Sequence, residues 1–174
     1  MRAPSDFVEI FLQPGDFYFG DADTRIRTLL GSCVSITLWH PTLRIGGMCH
    51  YLLPTCDSQK ARGTEPDGRY GDEAIQLFVR EISARGTKPE EYEAKVFGGG
   101  NMFPRLARQS ATMDIGNRNI ALAKSALEQL GLTVKAKHVG DAGHRAIIFD
   151  VWSGDVWVKY QRLTGDVQPA AIGA

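Results

Sequence analysis

Apolar residues repeat with a period of two at both ends of this chain and with helical spacing only in two segments between them, an order that few folds accommodate. Residues 7–12, 16–19 and 25–30 have the composition of short strands, the first two separated by Pro14-Gly15. Val34, Ile36 and Leu38 alternate with Ser35 and Thr37, which predicts a half-buried strand. After the His40-Pro41 turn, residues 44–53 form the next strand, whose paired Gly46-Gly47 points to a close backbone approach or a bulge. The polar segment 54–69 is too long for a simple hairpin loop. From Asp72, the residues Ala74, Ile75, Phe78, Val79 and Ile82 fall on one helical face, and Gly86 supplies the stop. A strand over 92–97 runs into Gly98-Gly99-Gly100, and Met113-Asp114-Ile115-Gly116, with Asp114 as cap, opens a second helix that ends at Gly131. Residues 132–139, 145–151 and 156–163 alternate again, the last two joined at Ser153-Gly154-Asp155. The expected architecture is one α+β domain over 1–163 with two main helices, followed by a loose C-terminal tail over 164–174.

A chain of 174 residues can bury such a core without disulfide or metal staples. Its 20 basic and 20 acidic residues cancel, so no summed field draws it to nucleic acid or anionic membranes. It has neither a signal-peptide pattern nor the roughly 18 consecutive apolar residues of a membrane span, so a cytoplasmic protein without membrane insertion is expected. Three cysteines in that compartment argue for reduced thiols over a disulfide framework.

Two positions carry candidate chemistry. Cys33 follows Gly31-Ser32, where a tight turn can expose a thiol and leave main-chain N–H groups free beside it; the alternative is a small buried hydrophobe at a strand start. His50 lies seventeen residues on, in Gly46-Gly47-Met48-Cys49-His50-Tyr51-Leu52-Leu53-Pro54. Facing Cys33 across neighbouring strands, it would make a nucleophile and base pair; otherwise it is a hydrogen-bonded structural histidine. Such a base predicts that Cys33 is alkylated below the ordinary thiol pKa of about 8.5. Strand alternation turns Cys49 to the opposite side from His50, as a core residue. Cys33, Cys49, His50 and Cys56 have ligand chemistry but no paired-ligand spacing, so no metal site is expected. Gly98-Gly99-Gly100-Asn101 lacks the lysine of a phosphate loop and is taken as a turn that lets backbones pass closely. His40 belongs to a turn, His138 and His144 are structural or solvent-facing, and Trp39, Trp152 and Trp157 are packing residues unless one is exposed as a partner surface.

Four ordered segments together resemble the chemoreceptor glutamine deamidase family, CheD. They are Thr28-Leu29-Leu30-Gly31-Ser32-Cys33-Val34, the His50 segment just given, Lys95-Val96-Phe97-Gly98-Gly99-Gly100-Asn101-Met102-Phe103, and Ile115-Gly116-Asn117-Arg118-Asn119-Ile120. The resemblance implies Cys33 as nucleophile, His50 as general base and acid, and a threonine upstream of the thiol as third member. One form of the family pattern sets that threonine six residues before the cysteine; here Arg27 stands there and Thr28 stands five before, so Thr28 is the assignment. The approach to Arg145, Asp141-Ala142-Gly143-His144, is also shorter than the family's usual glycine-rich one.

The resemblance further implies a single-domain α/β sandwich of mostly antiparallel strands, akin to the catalytic domain of cytotoxic necrotizing factor toxins. The implied reaction is hydrolysis of glutamine side chains on chemoreceptor cytoplasmic helices, in chemotaxis and without a cofactor. A protein substrate of that size requires Cys33 to be open to solvent. Other readings are hydrolysis of receptor glutamate methyl esters by the same acyl-thioenzyme route, a non-enzymatic module that docks a receptor or a CheC-like phosphatase, and a general cysteine protease, for which no local protease signature is present.

Overall fold

The computed structural model describes residues 3–56, 65–102 and 114–163. The expected tail 164–174, Met113 and the middle of the polar segment 54–69 lie outside the described residues. Among the described residues, nine strands and two α-helices follow in the order β1 (Val8–Phe11), β2 (Phe17–Gly20), β3 (Thr24–Leu30), β4 (Val34–His40), β5 (Ile45–Cys49), α1 (Gly71–Ala84), β6 (Glu93–Gly98), α2 (Ile115–Gln129), β7 (Val134–Val139), β8 (Gly143–Asp150) and β9 (Asp155–Arg162). They form two sheets, β1-β3-β8-β9 and β2-β5-β4-β6-β7. All neighbours are antiparallel except β1 with β3 and β6 with β7. The α+β sandwich expected from the sequence is therefore the fold. The sheets press together on Leu12, Ile26, Leu30, Met48, Phe97, Ile147, Phe149 and Val151. Both helices lie on the other face of the five-stranded sheet, over Val34, Ile36, Leu38, Cys49 and Tyr51. The order of layers is thus sheet, sheet, helices.

The helices follow from their spacing. In α1, Ala74, Phe78 and Ile82 recur every four residues and are buried. Gly86, at φ 67, turns the chain out of the helix while Thr87 N–H reaches back to Ile82 O at 3.2 Å. In α2, Asp114 holds the cap position, but its side chain accepts from the Asn117 amide at 2.5 Å instead of from a main-chain N–H. Gly46 and Gly47 answer the question the sequence left: a Cβ at Gly46 would stand 2.5 Å from Leu38 O and one at Gly47 2.6 Å from the Phe19 ring, so close approach, not a bulge, requires them.

One strand boundary differs from expectation in a way that bears on the site. The strand expected over 44–53 ends at Cys49, so His50 lies one residue beyond it, held to the entrance of β2 by His50 N–H to Asp16 O (3.0 Å) and Gly15 N–H to His50 O (2.7 Å). Strands β1 and β2, adjacent in sequence, belong to different sheets. The segment between them crosses the sandwich beside the histidine.

Gly98 and Gly99 have positive φ, 106 and 65, and a Cβ on Gly98 would collide with the Cys33 carbonyl oxygen. Gly98→Ala is expected to cost about 3 kcal/mol or more, because strain and collision add. Gly86→Ala, with open space around it, is expected to cost about 1–2 kcal/mol from backbone conformation alone. Urea midpoints of the two variants check the difference.

Candidate active site

Strand β3 presents Thr24, Ile26, Thr28 and Leu30 to the interior and Arg25, Arg27 and Leu29 outward. Arg27 pairs with Glu9 at 3.1 Å on the outer face, so the inward hydroxyl upstream of Cys33 is that of Thr28. Alternation along β3 points Thr28 between the sheets.

Thr28 Oγ1 lies 2.8 Å from Leu12 O and 2.7 Å from His50 Nδ1. A carbonyl can only accept, so the single hydroxyl proton goes to Leu12 and Oγ1 accepts from Nδ1–H. That assigns the tautomer: the ring proton is on Nδ1, and Nε2 keeps its lone pair. Nε2 is buried and has no hydrogen-bond partner among the described residues. Burial holds the imidazole down at about 4, only partly offset by the Asp16 carboxylate and the Leu12 carbonyl, so it is neutral at ordinary pH.

Cys33 is half-buried at the turn between β3 and β4. Val34 bridges Tyr51 in the register that pairs Thr37 with Met48, which sets Ser35 opposite His50 and Cys33 opposite Leu52. Val34 and Tyr51 face the helices, while Cys33 packs into the layer between the sheets. Cys33 and His50 therefore share a face as diagonal neighbours, whose backbones in an antiparallel pair stand about 7–8 Å apart. Three successive carbonyls of the turn are held from outside: Gly31 O by Gly100 N–H (2.8 Å), Ser32 O by the Asn119 amide (3.2 Å) and Cys33 O by Gly99 N–H (2.8 Å). The triple glycine is a backing for this turn, as its close-passing role required.

The other cysteines are placed differently. Cys49 faces the helical core, where its Sγ takes Ile36 N–H at 3.4 Å and burial pushes the thiol up to about 12. Cys56 is half-buried and hydrogen-bonds the Tyr70 phenol. His40 closes its turn by accepting Leu43 N–H at 3.3 Å, and His138 Nδ1 accepts from Arg145 Nε at 2.7 Å. Trp157 is 60% exposed on the outer face of the four-stranded sheet, where no helix among the described residues covers it. A polar cavity of about 410 Å³ opens behind Gly99 and Gly100 toward Asp114, Asn117 and Asp141; neither Cys33 nor His50 lines it.

Asn119 and Arg145 appeared in the sequence only within motif segments and were given no role there. Asn119 is fully buried on α2, at a position of the helical stripe that continues through Ala123 and Leu127; a polar residue on an apolar stripe was the available signal. Arg145, also fully buried, reaches His138 and Gly140 O (2.5 Å) to tie β8 to the end of β7. Its alternation with Ile147 and Phe149 marked it as inward, but an arginine there has no precedent in pattern alone.

Burial pushes the Cys33 thiol up, its own main-chain N–H acting in the opposite direction. With His50 held down, the resting pair is neutral thiol and neutral imidazole. Alkylation of Cys33 by iodoacetamide, which needs thiolate, is accordingly expected to climb with pH through a midpoint above about 8.5, reversing the expectation from sequence. Mass-resolved labelling of that peptide across pH measures it; a midpoint below neutrality would overturn the neutral-pair description.

A family model described as CheD chemotactic sensory transduction matches residues 52–160. A probable chemoreceptor glutamine deamidase, CheD 3 of Dechloromonas aromatica, is 51% identical over 158 residues, 91% of this chain and 91% of its own length. The chain belongs to the CheD family. At that length the alignment necessarily spans the Cys33 turn and His50, which the family model does not reach. Probable chemoreceptor glutamine deamidases of the CheD family from Pseudomonas syringae pv. tomato and Leptospira interrogans are 47% and 39% identical, over 94% and 90% of this chain. Among the described residues no helix is long and apolar enough to cross a membrane.

Proposed function

We propose that this CheD-family chain hydrolyses glutamine side chains on the cytoplasmic helices of chemoreceptors to glutamate, with Cys33 as nucleophile, His50 as base and acid, and Thr28 as the group that orients the histidine. The observation that carries the reading is the Thr28 bond to His50, which leaves a bare Nε2 on the face that Cys33 shares. The names of the CheD relatives supply the substrate class.

The chemistry follows from the atoms. As Sγ attacks the carboxamide carbon, its proton passes to Nε2, and the carbonyl electrons become an oxyanion. Collapse breaks the C–N bond while Nε2–H delivers its proton to nitrogen, so ammonia leaves and a thioester remains. Water then adds to the thioester, losing a proton to Nε2. The second collapse expels sulfur, which takes that proton back, and glutamate is released. Nδ1–H stays on Thr28 throughout, so the imidazolium formed at each step keeps its orientation. Partial exposure of Cys33 supports access of a protein side chain to the turn that carries the thiol.

The test incubates the purified chain with a chemoreceptor cytoplasmic fragment and follows both ammonia release and the small mass gain of each glutamine that becomes glutamate. Ammonia and mass gain in equal amounts are expected. Methanol release from a methylated fragment, without ammonia from the glutamine form, would make the chain an esterase. Binding to the fragment with neither product would make it a docking module.

A further inference from the structure

Asn119 sits one turn into α2 with no surface exposed, in the middle of a helix where asparagine is a poor former. A carboxamide buried there is costly unless its polar atoms are matched. Its NH2 group has two hydrogens, and the structure gives each a carbonyl: Nδ2 lies 3.2 Å from Ser32 O and 2.8 Å from Leu52 O, while Oδ1 has no hydrogen-bond partner among the described residues. Ser32 immediately precedes Cys33, and Leu52 is two residues beyond His50. The main-chain oxygen of Asn119 accepts the Tyr51 hydroxyl at 2.6 Å, from between those two partners. One side chain thus clamps the thiol-bearing turn to the chain that carries the imidazole.

The clamp has a directional consequence. In a trans peptide the carbonyl of one residue and the N–H of the next point to opposite sides. Drawing Ser32 O toward α2 therefore aims Cys33 N–H away from the helix layer, into the side where Sγ lies. That N–H has no carbonyl acceptor among the described residues. Its flanking carbonyls on Gly31 and Cys33 are fixed by Gly100 and Gly99, so the peptide plane has three anchors.

We infer that Asn119 is a positioning residue that holds the Ser32–Cys33 peptide so that Cys33 N–H faces the oxyanion formed at the attacked carbonyl. The inference rests on Cys33 being the nucleophile. Asn119 touches neither substrate nor sulfur; its effect passes through the orientation of one donor, and a misplaced donor weakens only the state in which negative charge has developed.

The test separates reactions at the same sulfur. Acylation by p-nitrophenyl acetate passes through a tetrahedral oxyanion, transferring acetyl to Sγ and releasing p-nitrophenolate. Alkylation by iodoacetamide displaces iodide without one. Asn119→Ala is expected to slow acylation and the kcat of receptor-fragment deamidation by about 10- to 100-fold, with KM and alkaline alkylation within about twofold of wild type. Should Asn119→Ala fail to fold, Asn119→Ser serves, since its short hydroxyl cannot reach both carbonyls. A folded variant that deamidates within about twofold of wild type, or that loses acylation and alkylation in parallel, overturns the inference. Cys33→Ala run in the same assays keeps the two readings apart: if it still deamidates, the nucleophile assignment fails, whereas its inactivity beside an active Asn119→Ala sinks the clamp alone.

Discussion

Cys33→Ala is expected to lower deamidation of a receptor fragment by about 10⁴-fold or more, because water alone must then attack an amide without a covalent route. Its cost in stability should stay near 1 kcal/mol, since the residue is half-buried and makes no side-chain bond that the fold needs. Cys49→Ala is the opposite case. Its sulfur faces the helices and accepts Ile36 N–H, so stability falls while turnover persists. Ammonia release and urea denaturation on the two proteins measure both quantities. Turnover by Cys33→Ala within about tenfold of wild type would remove the thiol from the mechanism.

His50→Ala is expected to reduce the rate by about 10³- to 10⁴-fold, the upper range for a group that acts as both base and acid. Thr28→Val should give a smaller loss, about 10- to 100-fold, because it removes only the bond that fixes the tautomer; Thr28→Ser should restore it. The pH profile of kcat/KM supplies an independent measure. Protonation of Nε2 abolishes the base, and burial lowers that event to about 4, so activity should hold as pH falls through the ordinary histidine value of about 6.5 and fail only near pH 4. An acid limb at the ordinary value would mean that the imidazole is solvated during turnover.

The layers of this fold and the residues of its candidate site were legible to different degrees. Helix α1 announced itself through Ala74, Phe78 and Ile82, and Gly86 ended it where expected, because these signals are local. The assignment of β1 and β2 to separate sheets was not readable: strand pairing is set by partners far along the chain, here Thr24–Leu30 for one and Ile45–Cys49 for the other. Cys33 and His50 stood out because a thiol after Gly-Ser and a histidine among apolar strand residues are uncommon patterns. Thr28 was within reach of the same logic. The alternation Thr24, Ile26, Thr28, Leu30 points it inward regardless of motif spacing. Its acceptor, Leu12 O, could not be anticipated, since a carbonyl leaves no trace in residue identity.

The bond between Thr28 and His50 joins one sheet to the other, and the crossover at Leu12 to Asp16 touches both of its ends. A hydrogen bond fails within a fraction of an ångström of stretch, whereas an apolar interface tolerates sliding that leaves every strand intact. Under the proposed mechanism, turnover by this chain serves as a strain gauge on the sandwich: gentle heating or dilute denaturant is expected to silence it while circular dichroism still registers an unaltered protein.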